Sequence, residues 1–400
     1  MKNMFVFLTG ILFCICSGLE SKALVEPYLY DMTDTGVQFR AVGSGAKDLL
    51  KVKVKGNREY ICENPVEIAP KKYLYSVEFV GLSPSTAYTY SFSFGKQELS
   101  GLSFKTAPKT FEPKEIKFVV WGDTQTLVMN TKAADSIAAL KPDFLLHVGD
   151  LVRGDGRIWK EWPDYFFNPA RALLGSAPVF PVPGNHEQGV ELFSQLFPAP
   201  KSSSKHAANG YYSFDYGNAH FVSVHVWYGA PGAREKSPVL YNANKNGRDD
   251  VSELKAMLAE DAASPVTKAQ MWKFLYIHIP PDVKDGPESM RKTWLEILPL
   301  LKTYGFDMAF FGHKHIFADT RELIVDGEDS GMKGMTVGLY WSEKEDWDLK
   351  TAPTDVVCVP SFALVTLNKN GKKESVVQPY VWDRVQVEFT PSVKETVLTR

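Results

Sequence analysis

The sequence predicts a layered α/β domain preceded by an all-β sandwich. Three patterns predict it. Residues 24–107 alternate apolar and polar with period two, short continuous apolar runs replace that alternation from residue 116, and helically spaced segments separate several of those runs. In the first stretch Val37, Gln38, Phe39 and Arg40 form a strand candidate, and residues 50–54 alternate apolar residues with lysine. Tyr88, Tyr90, Phe92 and Phe94 fall on one face, with Thr89, Ser91 and Ser93 on the other, and Gly43, Gly45, Gly56, Pro84 and Gly95 mark turns.

Residues 82–88 (LSPSTAY) resemble the tyrosine corner of immunoglobulin-like and fibronectin type III domains. A proline-punctuated connector at 106–113 then separates two expected units, 24–108 and 114–400. In the second unit the runs 116–121, 144–148, 179–182, 220–226, 274–277 and 308–311 read as strands buried on both faces. Helices are predicted over 131–140, on Ala133, Ala134, Ile137, Ala138 and Leu140, and over 251–258, capped by Ser252, and 290–301. After Asp319 strands return at 322–325, 335–341, 362–367 and 376–387, while 341–355 reads as a charged loop.

Composition narrows the class. With 44% hydrophobic and 23% charged residues the chain has ample material for a core. A formal net charge of -2 leaves no overall basic field, so no nucleic-acid-binding surface is evident. Lys2, an apolar run over 4–16 and small residues at Ser21 and Ala23 predict a cleavable signal peptide over 1–23, hence a secreted or periplasmic protein. That run is too short to span a bilayer, which takes about 20 apolar residues, and no other segment reads as transmembrane. A lipid anchor on Cys14 or Cys16 is disfavoured by Phe13 and Ile15 before them. Cys62 and Cys358 either pair or remain two thiols; neither fits a zinc pattern.

The chemistry lies where the buried runs end. Residues 116–121 lead into Gly122-Asp123-Thr124-Gln125, 144–148 into Gly149-Asp150, and 179–183 into Gly184-Asn185-His186-Glu187. His278 ends the run 274–277, and Gly312-His313-Lys314-His315 follows 308–311. In open α/β sheets the carboxyl ends of strands deliver residues to one rim, and glycine before Asp123, Asp150, Asn185 and His313 permits close backbone approach. Asp, Asn, Gln and His without thiolates suit hard or borderline divalent metals.

In those ordered motifs (GDTQ, GDLVRGDG, GNHE, the His278 of YIHIPP, and GHKH) residues 116–319 resemble the calcineurin-like metallophosphoesterase superfamily. The preceding sandwich resembles the N-terminal domain of purple acid phosphatases. The resemblance implies a metallophosphoesterase sandwich with two divalent ions (Mn, Fe, Zn or Mg) and a phosphate-ester substrate. It places Asp123, Gln125 and His315 on one ion and Asn185, His278 and His313 on the other, with Asp150 bridging. It further implies attack by a metal-activated hydroxide, with His186 facing the leaving oxygen as proton donor or electrostatic stabiliser, or holding the Asn185 loop.

Two positions depart from that pattern. Gln125 stands where the family carries histidine, which should weaken the first site for zinc and favour Mn, Fe or Mg. Arg153 stands where purple acid phosphatases carry a tyrosine ligand, so a coloured ferric centre is not expected. Arg153, Arg157 and Lys314 are candidate phosphate contacts. His225, on the rim side, is a candidate substrate contact or support. His147 is expected in the core, His220 in a structural role and His206 in solvent. Three functions follow: a phosphomonoesterase, a phosphodiesterase acting on nucleotides or lipid head groups, or a surface-binding protein with an inactive metal domain, which Gln125 keeps open.

Overall fold

The computed structural model describes residues 23–45, 49–56, 59–62, 64–187, 190–201, 211–225, 252–281, 288–320, 322–325, 327–340, 356–357, 359–392 and 395–399. Residues 1–22 of the predicted leader, His206, the 341–355 loop and Cys358 lie outside them; Cys62 is described as a half-buried free thiol.

Eight strands come first: β1 (Ala23–Tyr30), β2 (Gly36–Gly43), β3 (Leu50–Val54), β4 (Glu59–Cys62), β5 (Val66–Ala69), β6 (Lys72–Val80), β7 (Ala87–Phe94) and β8 (Gln97–Lys105). They form two antiparallel sheets, ordered β1-β2-β6-β5 and β4-β3-β7-β8. The period-two pattern explains both, because Tyr90, Phe92 and Phe94 turn inward while the residues between them stay more exposed. Phe39 packs on Phe79 of its own sheet and across onto Tyr90 and Phe104, at ring separations of 4.9, 4.8 and 5.6 Å. At the corner the Ser83 amide donates to the Tyr88 hydroxyl at 2.8 Å. Strand β1 starts at Ala23, the last residue of the predicted leader.

Beyond the connector, two mixed seven-stranded sheets face each other. The first carries β9 (Ile116–Trp121), β10 (Phe144–His147) and β11 (Val179–Pro181). The second carries β12 (Tyr212–Tyr216), β13 (Ala219–Ser223), β14 (Trp272–Tyr276), β15 (Met308–Phe311) and β16 (Phe317–Thr320). A two-stranded hairpin follows, β17 (Ile324–Val325) and β18 (Glu328–Asp329). The tail then serves both sheets: β19 (Lys333–Thr336) and β20 (Val356–Val357) join the second, whereas β21 (Ser361–Leu367), β22 (Glu374–Asp383), β23 (Glu388–Pro391) and β24 (Thr396–Thr399) join the first. The expected strand over 335–341 ends early, at Thr336, because Gly338 leaves the ladder to approach Asp123 and bridge to Ser361.

Alternation within the apolar runs builds the layers. Phe118 and Val120 of β9, with Phe144 and Leu146 of β10, meet Phe221, Phe274 and Phe310 of the second sheet. Val119, Trp121 and Leu145 point the other way, against α1 (Leu127–Leu140), a π-helical turn (Trp162–Phe167), α2 (Arg171–Leu174) and α3 (Val190–Leu196). On the far side, Val222, Leu275 and Ala309 pack under α4 (Ser252–Ala263), with α5 (Pro265–Ala269) after it, and α6 (Glu288–Tyr304). The result is helix, sheet, sheet, helix, rather than one open sheet. Helix α1 starts four residues ahead of the predicted Thr131, since Met129 is also buried.

The N-terminal sheets pack beside α3. Arg40 donates from Nη1 to the Leu196 carbonyl at 3.1 Å and from Nη2 to that of Gln195 at 2.9 Å. The Tyr28 hydroxyl donates to Leu196 at 2.9 Å and that of Tyr90 to the Gly175 carbonyl at 2.7 Å. These donors satisfy carbonyls that a helix end leaves without partners.

His220 has the expected structural role, in a buried cluster away from the motif loops. Its Nδ1 meets Asp215 at 2.8 Å, and its Nε2 meets Asp261 at 2.9 Å and the Tyr304 hydroxyl at 3.0 Å. Burial opposes charge on the ring, but the two carboxylates outweigh it and push the imidazole up to about 9. Burial likewise opposes charge on Asp261, which His220 and Tyr304 overcome, holding it below the usual carboxylate range. A raised imidazole stabilises the fold fully below its ordinary pKa, near 6.5, and that contribution disappears as pH rises through about 9. His220→Gln should therefore cost about 3 kcal/mol at pH 6 and much less at pH 9.5. Denaturant titrations at both pH values check this; an equal loss at each contradicts the charged cluster.

Candidate metal centre

The motif loops meet along one rim, where the carboxyl ends of β9, β10 and β11 from one sheet face those of β14 and β15 from the other. Backbone conformation reflects the crowding. Asp123, Asp150, His313 and His315 all take left-handed φ values of 53°, 56°, 70° and 52°. Non-glycine residues rarely hold that region, and such strain concentrates at functional sites. Glycine allows the loops to touch. A Cβ on Gly184 would sit 2.1 Å from Asp150 Oδ1, and one on Gly149, at φ 96°, would sit 2.5 Å from the His278 ring.

Asp150 is buried at the centre. Its Oδ1 accepts the His186 amide at 2.9 Å and lies 3.3 Å from His278 Nε2, while Oδ2 accepts Gln125 Nε2 at 2.7 Å. On one side Asp123 Oδ1 lies 3.5 Å from His315 Nε2, and Asp123, Asp150 and His315 offer donor atoms within 4.8 Å of one another. On the other side Asn185 Oδ1 lies 3.0 Å from His278 Nε2 and 2.8 Å from His313 Nδ1. All seven expected ligands thus lie in one connected cluster around Asp150.

Charge and hydrogen bonds poise these groups. Burial opposes the Asp150 charge, but His278 and His186 outweigh it and hold the carboxyl below its usual range. His278 is opposed by its own burial and lifted by Asp150 to about 9, while burial and His278 push His313 down to about 4. The Val148 carbonyl lies 2.7 Å from His278 Nδ1; a carbonyl only accepts, so that nitrogen carries the proton and Nε2 turns to Asp150 and Asn185. His186 is arranged alike, with Nδ1 2.8 Å from the Gly154 carbonyl and Nε2 3.9 Å from Asp150 Oδ2.

The remaining predicted residues separate. Arg153 is exposed and lines a cleft together with Gln125. Arg157 pairs with Asp155 at 3.1 Å. His225 is buried, its Nδ1 2.9 Å from the Pro183 carbonyl, so it supports the loop that carries Asn185. His147 is in the core between Trp121 and Phe166; Gly149 donates to its Nδ1 and its Nε2 faces the Thr124 hydroxyl, each at 3.2 Å. Burial pushes His147 down to about 3.

Sequence reasoning missed a residue that ties two of the motif loops together. Glu187, fully buried, accepts the Gly184 amide at 2.7 Å and the Asp150 amide at 2.9 Å on Oε2, and the Val152 amide at 3.0 Å on Oε1. One carboxylate thereby ties the Asp150 loop to the Asn185 loop, and burial with the nearby Asp150 charge pushes it up to about 7. The signal available was its place in GNHE, next to two expected site residues.

Comparison with known proteins supplies the family. The chain is 26% identical to purple acid phosphatase 23 of Arabidopsis thaliana over 288 residues, 61% of this chain and 57% of that protein. It is 25% identical to purple acid phosphatase 15 of the same plant over 276 residues, 61% of this chain and 49% of that protein. It thus spans about half the length of the curated relatives it matches. Two solved structures share the fold: a purple acid phosphatase from yellow lupin (Lupinus luteus) seeds and PhoD. The first has a TM-score of 0.62 and 15% identity, covering 94% of this chain and 74% of that one. The second has a TM-score of 0.64 and 13% identity, covering 94% and 89%. The profile of the calcineurin-like phosphoesterase family matches residues 116–317, and with that match, half of its length, the chain belongs to that family.

Proposed function

We propose that this protein is an exported, metal-dependent phosphoric ester hydrolase that removes phosphate from monoesters. The observation that carries the reading is Asp150, which lies between two groups of oxygen and imidazole donors and touches members of both. We assign Asp123, Gln125 and His315 to one divalent ion and Asn185, His278 and His313 to the other, with Asp150 shared. Oxygen and imidazole donors without thiolate fit Mn, Fe, Zn or Mg, and Gln125 favours the harder ions. No tyrosine oxygen is available at position 153 to support a ferric centre.

Such a pair of ions supplies charge neutralisation for the phosphoryl oxygens and acidifies the attacking water. The chain's own residues do the rest. The Val148 carbonyl fixes the His278 tautomer so that Nε2 is presented to the centre. The Gly154 carbonyl orients His186 in the same way, turning its Nε2 towards the centre, where the imidazolium form would donate a proton to the departing oxygen. The two four-stranded sheets and the Tyr88 corner support a fibronectin III-like unit over 24–108 ahead of a catalytic unit over 114–400. Among the described residues no helix is long and apolar enough to cross a membrane.

One observation favours a second reading, a binding protein with an inactive metal domain. Gln125 presents its Nε2, rather than Oε1, to Asp150. Rates on an aryl phosphate and a bis-aryl phosphate, measured with Mn, Fe, Zn or Mg added, separate the readings. The monoester kcat/KM should exceed the diester value by about tenfold. A faster diester reaction overturns the monoester assignment, and a folded, metal-loaded protein that hydrolyses neither favours the binding protein.

A further inference from the structure

An open cleft of about 420 Å³ adjoins the candidate centre, lined by Leu127, Val128 and Met129 of the first turn of α1, by Tyr165 and by Arg153. Gln125 lines it too, and its Nε2 donates to Asp150 at 2.7 Å, so cleft and centre share a wall. Leu127 and Val128 are 53% and 63% exposed, two adjoining aliphatic side chains left in solvent beside a catalytic constellation. Isolated exposed apolar residues are ordinary, but an apolar wall next to convergent polar groups is how small-molecule sites are built.

Two flat groups complete the lining. Tyr165 comes from the π-helical turn, a rare conformation that recurs at functional sites. Arg153 makes no ion pair or hydrogen bond among the described residues, yet its loop is held firmly. The next residue, Gly154, donates its amide to Glu161 at 3.2 Å, just ahead of the π-helical turn, and its carbonyl lies 2.8 Å from His186 Nδ1. The loop therefore fixes the cleft wall relative to the residue placed at the leaving oxygen.

From this arrangement we infer that the cleft receives the leaving group of the substrate, and that the favoured leaving group is a flat aromatic ring. The inference rests on the hydrolase reading above. Tyrosine rings and guanidinium planes both stack on aromatic faces, and the α1 side chains supply apolar contact at the ring edge.

Calorimetry on the manganese-loaded full chain with phenylphosphonate and methylphosphonate, neither of which can be hydrolysed to an alcohol, tests the inference without turnover. Phenylphosphonate should bind about tenfold more tightly, the scale expected for burying a ring. Val128→Asn, a change on an exposed position, and Tyr165→Ala should each reduce that ratio to about threefold or less while leaving methylphosphonate affinity in place. Equal affinities in the wild type, failure to bind either ligand, or an unchanged ratio in folded V128N would overturn it. The two readings fail separately. A retained phenyl preference with no ester hydrolysed sinks the hydrolase and keeps the cleft, whereas turnover with equal phosphonate affinities does the reverse.

Discussion

Replacing Asp150 by asparagine is expected to lower kcat/KM for a phosphate ester by about a thousandfold or more, equivalent to about 4 kcal/mol of lost transition-state stabilisation. The amide keeps the shape of the side chain, so the His186 amide keeps a partner and the fold should survive. What goes is the negative charge between the donor groups of Asp123 and His315 on one side and Asn185, His278 and His313 on the other. Without it, two cations placed side by side repel each other with no shared counter-charge. Elemental analysis should show metal content falling from about two ions towards one or none, with the melting temperature of the metal-free protein little changed. A folded D150N protein with full turnover and two ions would remove the shared-carboxylate reading.

Glu187→Ala should be the most damaging substitution to stability near the site. It strands three buried backbone amides, those of Gly184, Asp150 and Val152, that now share one carboxylate. Each unsatisfied buried donor costs about 1–3 kcal/mol, so the total, roughly 3–9 kcal/mol, is a large fraction of the 5–15 kcal/mol that typical domains possess. The consequence is local as well as global. The left-handed backbone at Asp150 is uncomfortable without external restraint, and Glu187 is one of the groups holding it. Denaturant titration of the metal-free protein should show the loss, and metal affinity should fall with it. A variant with unchanged stability would mean that water replaces the carboxylate and that the clamp is dispensable.

How much of the site was legible depends on how local its signals are. Gly122-Asp123, Gly149-Asp150, Gly184-Asn185 and Gly312-His313 each follow a continuous apolar run, and a run of that kind is a buried strand wherever it folds. The residue after it must emerge at the carboxyl end of the strand, so sequence order alone places these groups on a rim. Glu187 stood in a legible motif, but its three amide partners come from chain segments up to 37 residues away, and no local pattern announces them. The same limit hid Gly338, whose Cβ would sit 2.6 Å from Asp123 Oδ2. Nothing in its surroundings marks it, because the constraint comes from a strand in another part of the chain.

The sheet arrangement shows the division most clearly. Period-two alternation and apolar runs determined which segments are strands, and side-chain chemistry singled out the oxygen and imidazole donors expected to hold divalent ions. Only the tertiary structure decided that the strands divide between two facing sheets, that the tail completes both, and that Asn185 meets His278 and His313 across the gap between them. It also decided that Arg153 lines a cleft together with Gln125. Strand identity is set by neighbours two residues away in the chain, whereas pairing order and loop contact are set by burying the phenylalanines of one sheet against those of the other. That energy depends on which surfaces meet, and the linear pattern carries no address for its partner.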